Sequence, residues 1–208
     1  MSRNKYVLCC AACAMFFIVL MNNYIELMPL NLLISGVVQR IISPPLTAVM
    51  VWVSRIGELE FYLVGIVVLY RGSRTRRTIG IPATAVLAVS ALLNITLKSV
   101  FALPRPEVYR LAEASGFTFP SGHAMNAAAF YGFCAIAAVS ALGGRGRKWQ
   151  IITASAFGLF LLMMGFSRVY LGVHYAADVT GGYLLGVMLA CAARLVSIRL
   201  ITSESGKN

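Results

Sequence analysis

The feature that most constrains this chain is a series of apolar runs, each close to the roughly 20 residues that cross a bilayer as a helix. The runs over residues 6–21, 79–98, 121–142, 149–166 and 174–196 are continuously hydrophobic and do not alternate, which favours helices over a barrel. A shorter run over 56–70, preceded by Arg55, Glu58 and Glu60, supplies the second of six expected spans. Hydrophobic residues make up 59% of the chain and charged residues 12%, more apolar surface than a soluble domain of this size could bury. The expectation is an all-α, integral membrane six-transmembrane-helix bundle, with residues 1–208 forming a single membrane-embedded domain. Residues 6–21, after Arg3 and Lys5, read as a retained span and not a cleaved signal. Residues 22–45, mixed in polarity and ending in Pro44-Pro45, read as interfacial helices.

A formal net charge of +11 invites a nucleic-acid reading, but its distribution opposes one. The cations are scattered among short loops, with no basic soluble module to present them. Six spans with a cytoplasmic N-terminus put Arg3, Lys5, Arg71, Arg74, Arg76, Arg77, Arg145, Arg147, Lys148, Arg194, Arg199 and Lys207 inside. Only Arg40, Arg55, Lys98, Arg105, Arg110 and Arg168 then fall outside, which is the bias of the positive-inside rule. Both termini are therefore expected in the cytoplasm. The five cysteines all lie in apolar stretches without histidine partners, so neither a disulfide framework nor a zinc site is expected.

Three polar clusters interrupt this background. Lys98 and Arg105-Pro106 form the first and Pro120-Ser121-Gly122-His123 the second; the third runs from Ser167-Arg168 to His174 and Asp178. They contain both histidines and the sole aspartate of the chain. Ionisable groups at membrane depth carry a large solvation cost and usually mark function. Lys98, Arg105 and Arg168 have no matching local carboxylates, so their counter-charge is expected from a ligand, and phosphate suits the arginine fork. Ser121 reads as an N-cap, Gly122 lets an anion approach the backbone, and the free amides of that helix start form an anion cradle. His123 adds an acid–base group beside it. His174 and Asp178 stand four residues apart, on one face of a helix, where a carboxylate can fix the imidazole tautomer. All three clusters fall on the same, non-cytoplasmic face in the charge-derived topology.

Lys98-x6-Arg105-Pro106, Pro120-Ser-Gly-His123 and Ser167-Arg168-x5-His174-x3-Asp178 together resemble, without a gap, the tripartite signature of the type 2 phosphatidic acid phosphatase (PAP2) superfamily. The signature covers residues 98–178, and its wording is similar to that of small bacterial members acting on phosphatidylglycerophosphate or undecaprenyl pyrophosphate. The resemblance implies a lipid phosphatase in which His174 attacks phosphorus, Asp178 orients it and His123 protonates the leaving oxygen. It further implies that Lys98, Arg105, Ser121, Gly122 and Arg168 hold the phosphoryl oxygens, with no metal and no other cofactor. The partners so implied are a lipid phosphate and the membrane, with no nucleic acid and no obligate protein. A phosphatidylglycerophosphate-type substrate is favoured. An undecaprenyl pyrophosphate phosphatase, a lipid phosphotransferase and a non-hydrolytic lipid-phosphate binding or transport protein stay open.

Overall fold

The computed structural model describes residues 3–107 and 109–205, with side chains described to Ile198. Lys207 and the side chain of Arg199, both counted as cytoplasmic above, lie outside the described residues. Among the described residues every secondary-structure element is helical. Helix α1 (Arg3–Asn22) is followed by three 12-residue helices: α2 (Met28–Gln39), α3 (Pro44–Arg55) and α4 (Leu59–Tyr70). A helical turn, α5 (Ser73–Thr75), passes through a π-helical stretch (Arg76–Gly80) into α6 (Ile81–Phe101). Then come α7 (Gly122–Ala141), a 3₁₀ turn (Leu142–Arg145), α8 (Arg147–Tyr170) and α9 (Ala176–Ser205).

Among the described residues, five helical stretches are long and apolar enough to cross a membrane: Arg3–Asn22, Ser73–Phe101, Gly122–Arg145, Arg147–Tyr170 and Ala176–Ile198. They correspond to the first and the third to sixth spans read from the sequence. The helix at the expected second span is shorter than the sequence suggests. It begins at Leu59, and its 12 residues reach about 18 Å at 1.5 Å per residue. The third is longer, because the π-helical stretch just before Pro82 absorbs the missing proline amide and lets the helix start at Ser73. The segment read as interfacial forms α2 and α3, and α3 runs on to Arg55 because Pro44 and Pro45 begin a helix instead of ending one.

Helices α7 and α9 form the central pair, flanked by α1, α6 and α8. Their backbones approach at Gly182 and Gly186. A Cβ on Gly182 would stand 2.6 Å from the Ser121 carbonyl oxygen, and one on Gly186 would stand 2.6 Å from the Ala128 Cβ. The small-xxx-small pair therefore sets the spacing of the two helices that carry His123 and Asp178. One buried cluster joins Tyr62, Val86, Phe130 and Phe133 between α4, α6 and α7. Large apolar side chains point outward from the long helices, among them Leu8, Phe16, Leu92, Ile95, Leu159 and Leu162. Such a surface suits lipid and not water.

Candidate active site

The three motifs meet at one end of the bundle: the last turn of α6, the loop 102–121, the first turn of α7, the last turn of α8 and the α8–α9 turn. An aromatic box holds the loop. The ring of Phe119, fully buried, packs against Phe17 at 5.8 Å and against Tyr24 and Phe101 at 5.3 Å each. Beyond it, the Ser121 amide donates to the Asp178 carbonyl at 3.0 Å and Asn94 Nδ2 donates to the Pro120 carbonyl at 3.1 Å. These contacts fix the start of α7 against α6 and α9.

His174 does not lie on α9, as the sequence reading assumed; it sits in the turn before it. Gly172 makes that turn with φ of 70°, and any Cβ there would run into the Tyr109 carbonyl. The pair with Asp178 survives the correction. His174 Nδ1 stands 3.4 Å from Asp178 Oδ2, and the Tyr175 amide donates to the same oxygen at 2.7 Å, so Asp178 caps its own helix start. Asp178 is fully buried and accepts two further bonds, from the Tyr24 hydroxyl at 2.6 Å and the Thr118 hydroxyl at 2.5 Å. Burial pushes the His174 imidazole down to about 4, against the opposing pull of its contact with Asp178.

The cations gather on the other side of His174. Arg105 Nη1 lies 3.4 Å from His174 Nε2 and donates to the Val173 carbonyl at 2.9 Å. Its remaining donors reach the carbonyls of Ser115 and Gly116. Lys98 Nζ donates to the Phe117 carbonyl and, at 3.5 Å, to that of Thr118. Arg168, 7% exposed, bonds through Nη1 to the Ser54 hydroxyl. Hydrogen bonds to neutral oxygens order these side chains without cancelling their charge, leaving a positive field over His174 Nε2.

Ser121 occupies the N-cap position of α7, yet its hydroxyl makes no capping bond. The glycine beside it faces inward: a Cβ on Gly122 would stand 3.0 Å from Asn94 Oδ1. Among the described residues, Ser121 Oγ, His123 Nε2 and Arg168 Nε are all buried without a hydrogen-bond partner. Buried polar groups are rarely left so, and these three belong to the motif residues. Among the described residues, no three His, Cys, Asp or Glu side chains form a metal-binding group.

Four contributors escaped the sequence reading. Thr118 and Tyr24 bind Asp178, Ser54 binds Arg168, and Asn94 holds the loop. Asn94 left a trace, since Ser90, Asn94 and Lys98 repeat at helical spacing through an apolar run. The other three left none.

The sequence profile described as PAP2 superfamily matches residues 80–201. Phosphatidylglycerophosphatase B of Bacillus subtilis is 36% identical over 149 residues, covering 71% of this chain and 73% of that protein. The undecaprenyl-diphosphatase of Sulfolobus acidocaldarius is 29% identical over 147 residues, 68% of this chain and 66% of that one. The crystal structure of a transmembrane PAP2-type phosphatidylglycerolphosphate phosphatase from Bacillus subtilis superposes with a TM-score of 0.81 at 30% identity, covering 92% of this chain and 96% of that one.

Proposed function

Because this chain belongs to the PAP2 superfamily of membrane lipid phosphatases, we propose that it removes the terminal phosphate of a lipid phosphate or diphosphate through a phosphohistidine. His174 Nε2 attacks phosphorus, forming a P–N bond as the bond from phosphorus to the leaving lipid oxygen breaks. His123 gives its proton to that oxygen. Water then attacks the phosphohistidine, returning a proton to His123 and releasing phosphate. Lys98, Arg105 and Arg168, with the Ser121 hydroxyl and the amides at Gly122, stabilise the charge spread over the phosphoryl oxygens. These groups meet the electrostatic need without a divalent ion.

The observation that carries this reading is the trio of unpartnered buried atoms, Ser121 Oγ, His123 Nε2 and Arg168 Nε. A phosphoryl group supplies acceptors for the serine and arginine donors, and the leaving oxygen supplies the partner for the histidine. A binder or transporter needs the cations but not the aligned His174–Asp178 pair. The test is direct: purified His174→Ala should stay folded in detergent and release no phosphate. Near-normal turnover by that variant on every lipid tried contradicts the assignment.

In topology, we read α4 as the sixth crossing. A Cβ on Gly57, just before it, would reach His123, while Tyr70 at its far end lies against Gly80, next to the Arg71–Arg77 cluster. Six crossings put both termini opposite the site, in the cytoplasm, with the site on the periplasmic or external face. For the substrate, likeness to the Bacillus protein named for phosphatidylglycerophosphate favours that lipid. Broad specificity is expected, since the site's polar contacts address the phosphate. Comparing kcat/KM for phosphatidylglycerophosphate, undecaprenyl pyrophosphate, phosphatidic acid and lysophosphatidic acid tests this; a preference of about a hundredfold for one lipid, about 2.7 kcal/mol, contradicts broad specificity.

A further inference from the structure

The hydroxyl of Thr118 stands between His174 and Asp178. It lies 3.0 Å from His174 Nδ1 and 2.5 Å from Asp178 Oδ2, whereas the direct distance from Nδ1 to Oδ2 is 3.4 Å. Strong N–H to oxygen bonds cluster near 2.9 Å, so the shorter path from ring to carboxylate runs through the threonine. Proton counting fixes its direction. A carboxylate only accepts, and a hydroxyl has one proton. Thr118 spends that proton on Asp178, so toward His174 it offers a lone pair, which Nδ1–H must fill. One neutral tautomer satisfies this chain of contacts: proton on Nδ1, lone pair on Nε2, facing Arg105.

We infer that Thr118 is a positioning residue that transmits the hold of Asp178 onto His174, selecting the tautomer whose Nε2 is free to attack. The inference rests on the proposed role of His174 as nucleophile. Thr118 is built to stay in place: it is fully buried, and its amide donates to the Leu103 carbonyl at 2.9 Å. Its neighbour Phe119 is boxed by three aromatic rings. Tyr24 and the Tyr175 amide hold Asp178 from other sides, so the carboxylate is not free to swing toward the imidazole when the threonine is absent. Once Nε2 carries the phosphoryl group the ring is cationic, and the same contacts stabilise it with no further proton movement.

The test uses the full-length protein in detergent with phosphatidylglycerophosphate, reading phosphate release and melting temperature. Thr118→Val keeps the shape and removes the hydroxyl; its kcat should fall about 30- to 100-fold with KM within about threefold. Thr118→Ser keeps the hydroxyl and drops the methyl, and should hold kcat within about fivefold. A purely packing role predicts the reverse order. Thr118→Ala carries the same expectation as valine, so either folded variant suffices. In a cycle with Asp178→Asn, the double variant should be no slower than about threefold below Asp178→Asn alone, because both residues act through one path. Wild-type kcat in a folded hydroxyl-less variant, or losses that multiply in the double variant, overturns the relay. An active His174→Ala control instead overturns the phosphohistidine reading on which it rests.

Discussion

Arg105 Nη1 stands 3.4 Å from His174 Nε2, and every other hydrogen bond of that guanidinium ends on a backbone carbonyl. The fork is thus aimed at the proposed attacking nitrogen by neutral groups that leave its charge available to a substrate oxygen. Lysine cannot hold this geometry, since its single ammonium cannot span the Ser115 and Val173 carbonyls together. Arg105→Lys should lower kcat/KM by about a hundredfold, about 2.7 kcal/mol of transition-state stabilisation, in steady-state phosphate release. Loss of less than about threefold contradicts a phosphoryl contact.

The low pKa of His174 sets the acid limit of activity. Burial holds the ring neutral down to about 4, whereas an unperturbed histidine titrates near 6.5. A protonated Nε2 cannot attack, so the loss of kcat/KM that reports His174 should appear only as pH approaches about 4. Stability has its own sign. The unfolded chain takes up this proton near 6.5 and the folded chain only near 4, so stability falls as pH falls through that window. An acid limb near 6.5 in the pH–rate profile, on a protein still folded there, contradicts the site as drawn.

Gly57 lies against the proposed general acid. A Cβ on it would stand 2.7 Å from His123 Cδ2 and 2.9 Å from Met164 Sδ. Gly57→Ala must therefore displace the imidazole or the methionine. The expected result is a kcat reduced about tenfold or more, as for a reacting group misplaced by a fraction of an ångström. Measuring kcat beside the melting temperature separates that effect from unfolding.

Chelation addresses the source of transition-state charge. With three cations and helix-start amides around the phosphoryl group, excess EDTA should leave turnover within about twofold. Full loss on chelation, restored by magnesium, points to a metal the proposal does not use.

Membrane sidedness is the fifth expectation. Glu107→Cys, in a background cleared of native cysteines, should react with an impermeant maleimide added from the periplasmic or external side of intact cells. Labelling solely from the cytoplasmic side inverts the proposed topology.

The long helices were legible because hydropathy reports the solvent, and lipid demands unbroken apolar length. The motif residues were legible because ionisable groups have few reasons to sit among such runs. What the sequence hid was contact across distance. Tyr24 reaches Asp178 over 154 residues and Ser54 reaches Arg168 over 114, and a lone tyrosine or serine at a helix end gives no hint of either. The start of α9 was misjudged for a local reason: Gly172 adopts a left-handed backbone, which turns the chain before the helix begins and leaves His174 outside it. Leu59–Tyr70 was hard to place because its 12 residues are too few to register as a full crossing, whatever their apolarity.

Tyr24 and Ser54 both lie upstream of residues 80–201, the stretch that the family profile matches. Two of the side chains that restrain the reactive groups are thus encoded apart from the groups themselves. Substitutions upstream of residue 80 can loosen the buried aspartate or turn the arginine while every signature letter stays intact. Two such chains would look identical to a motif search and run at different speeds.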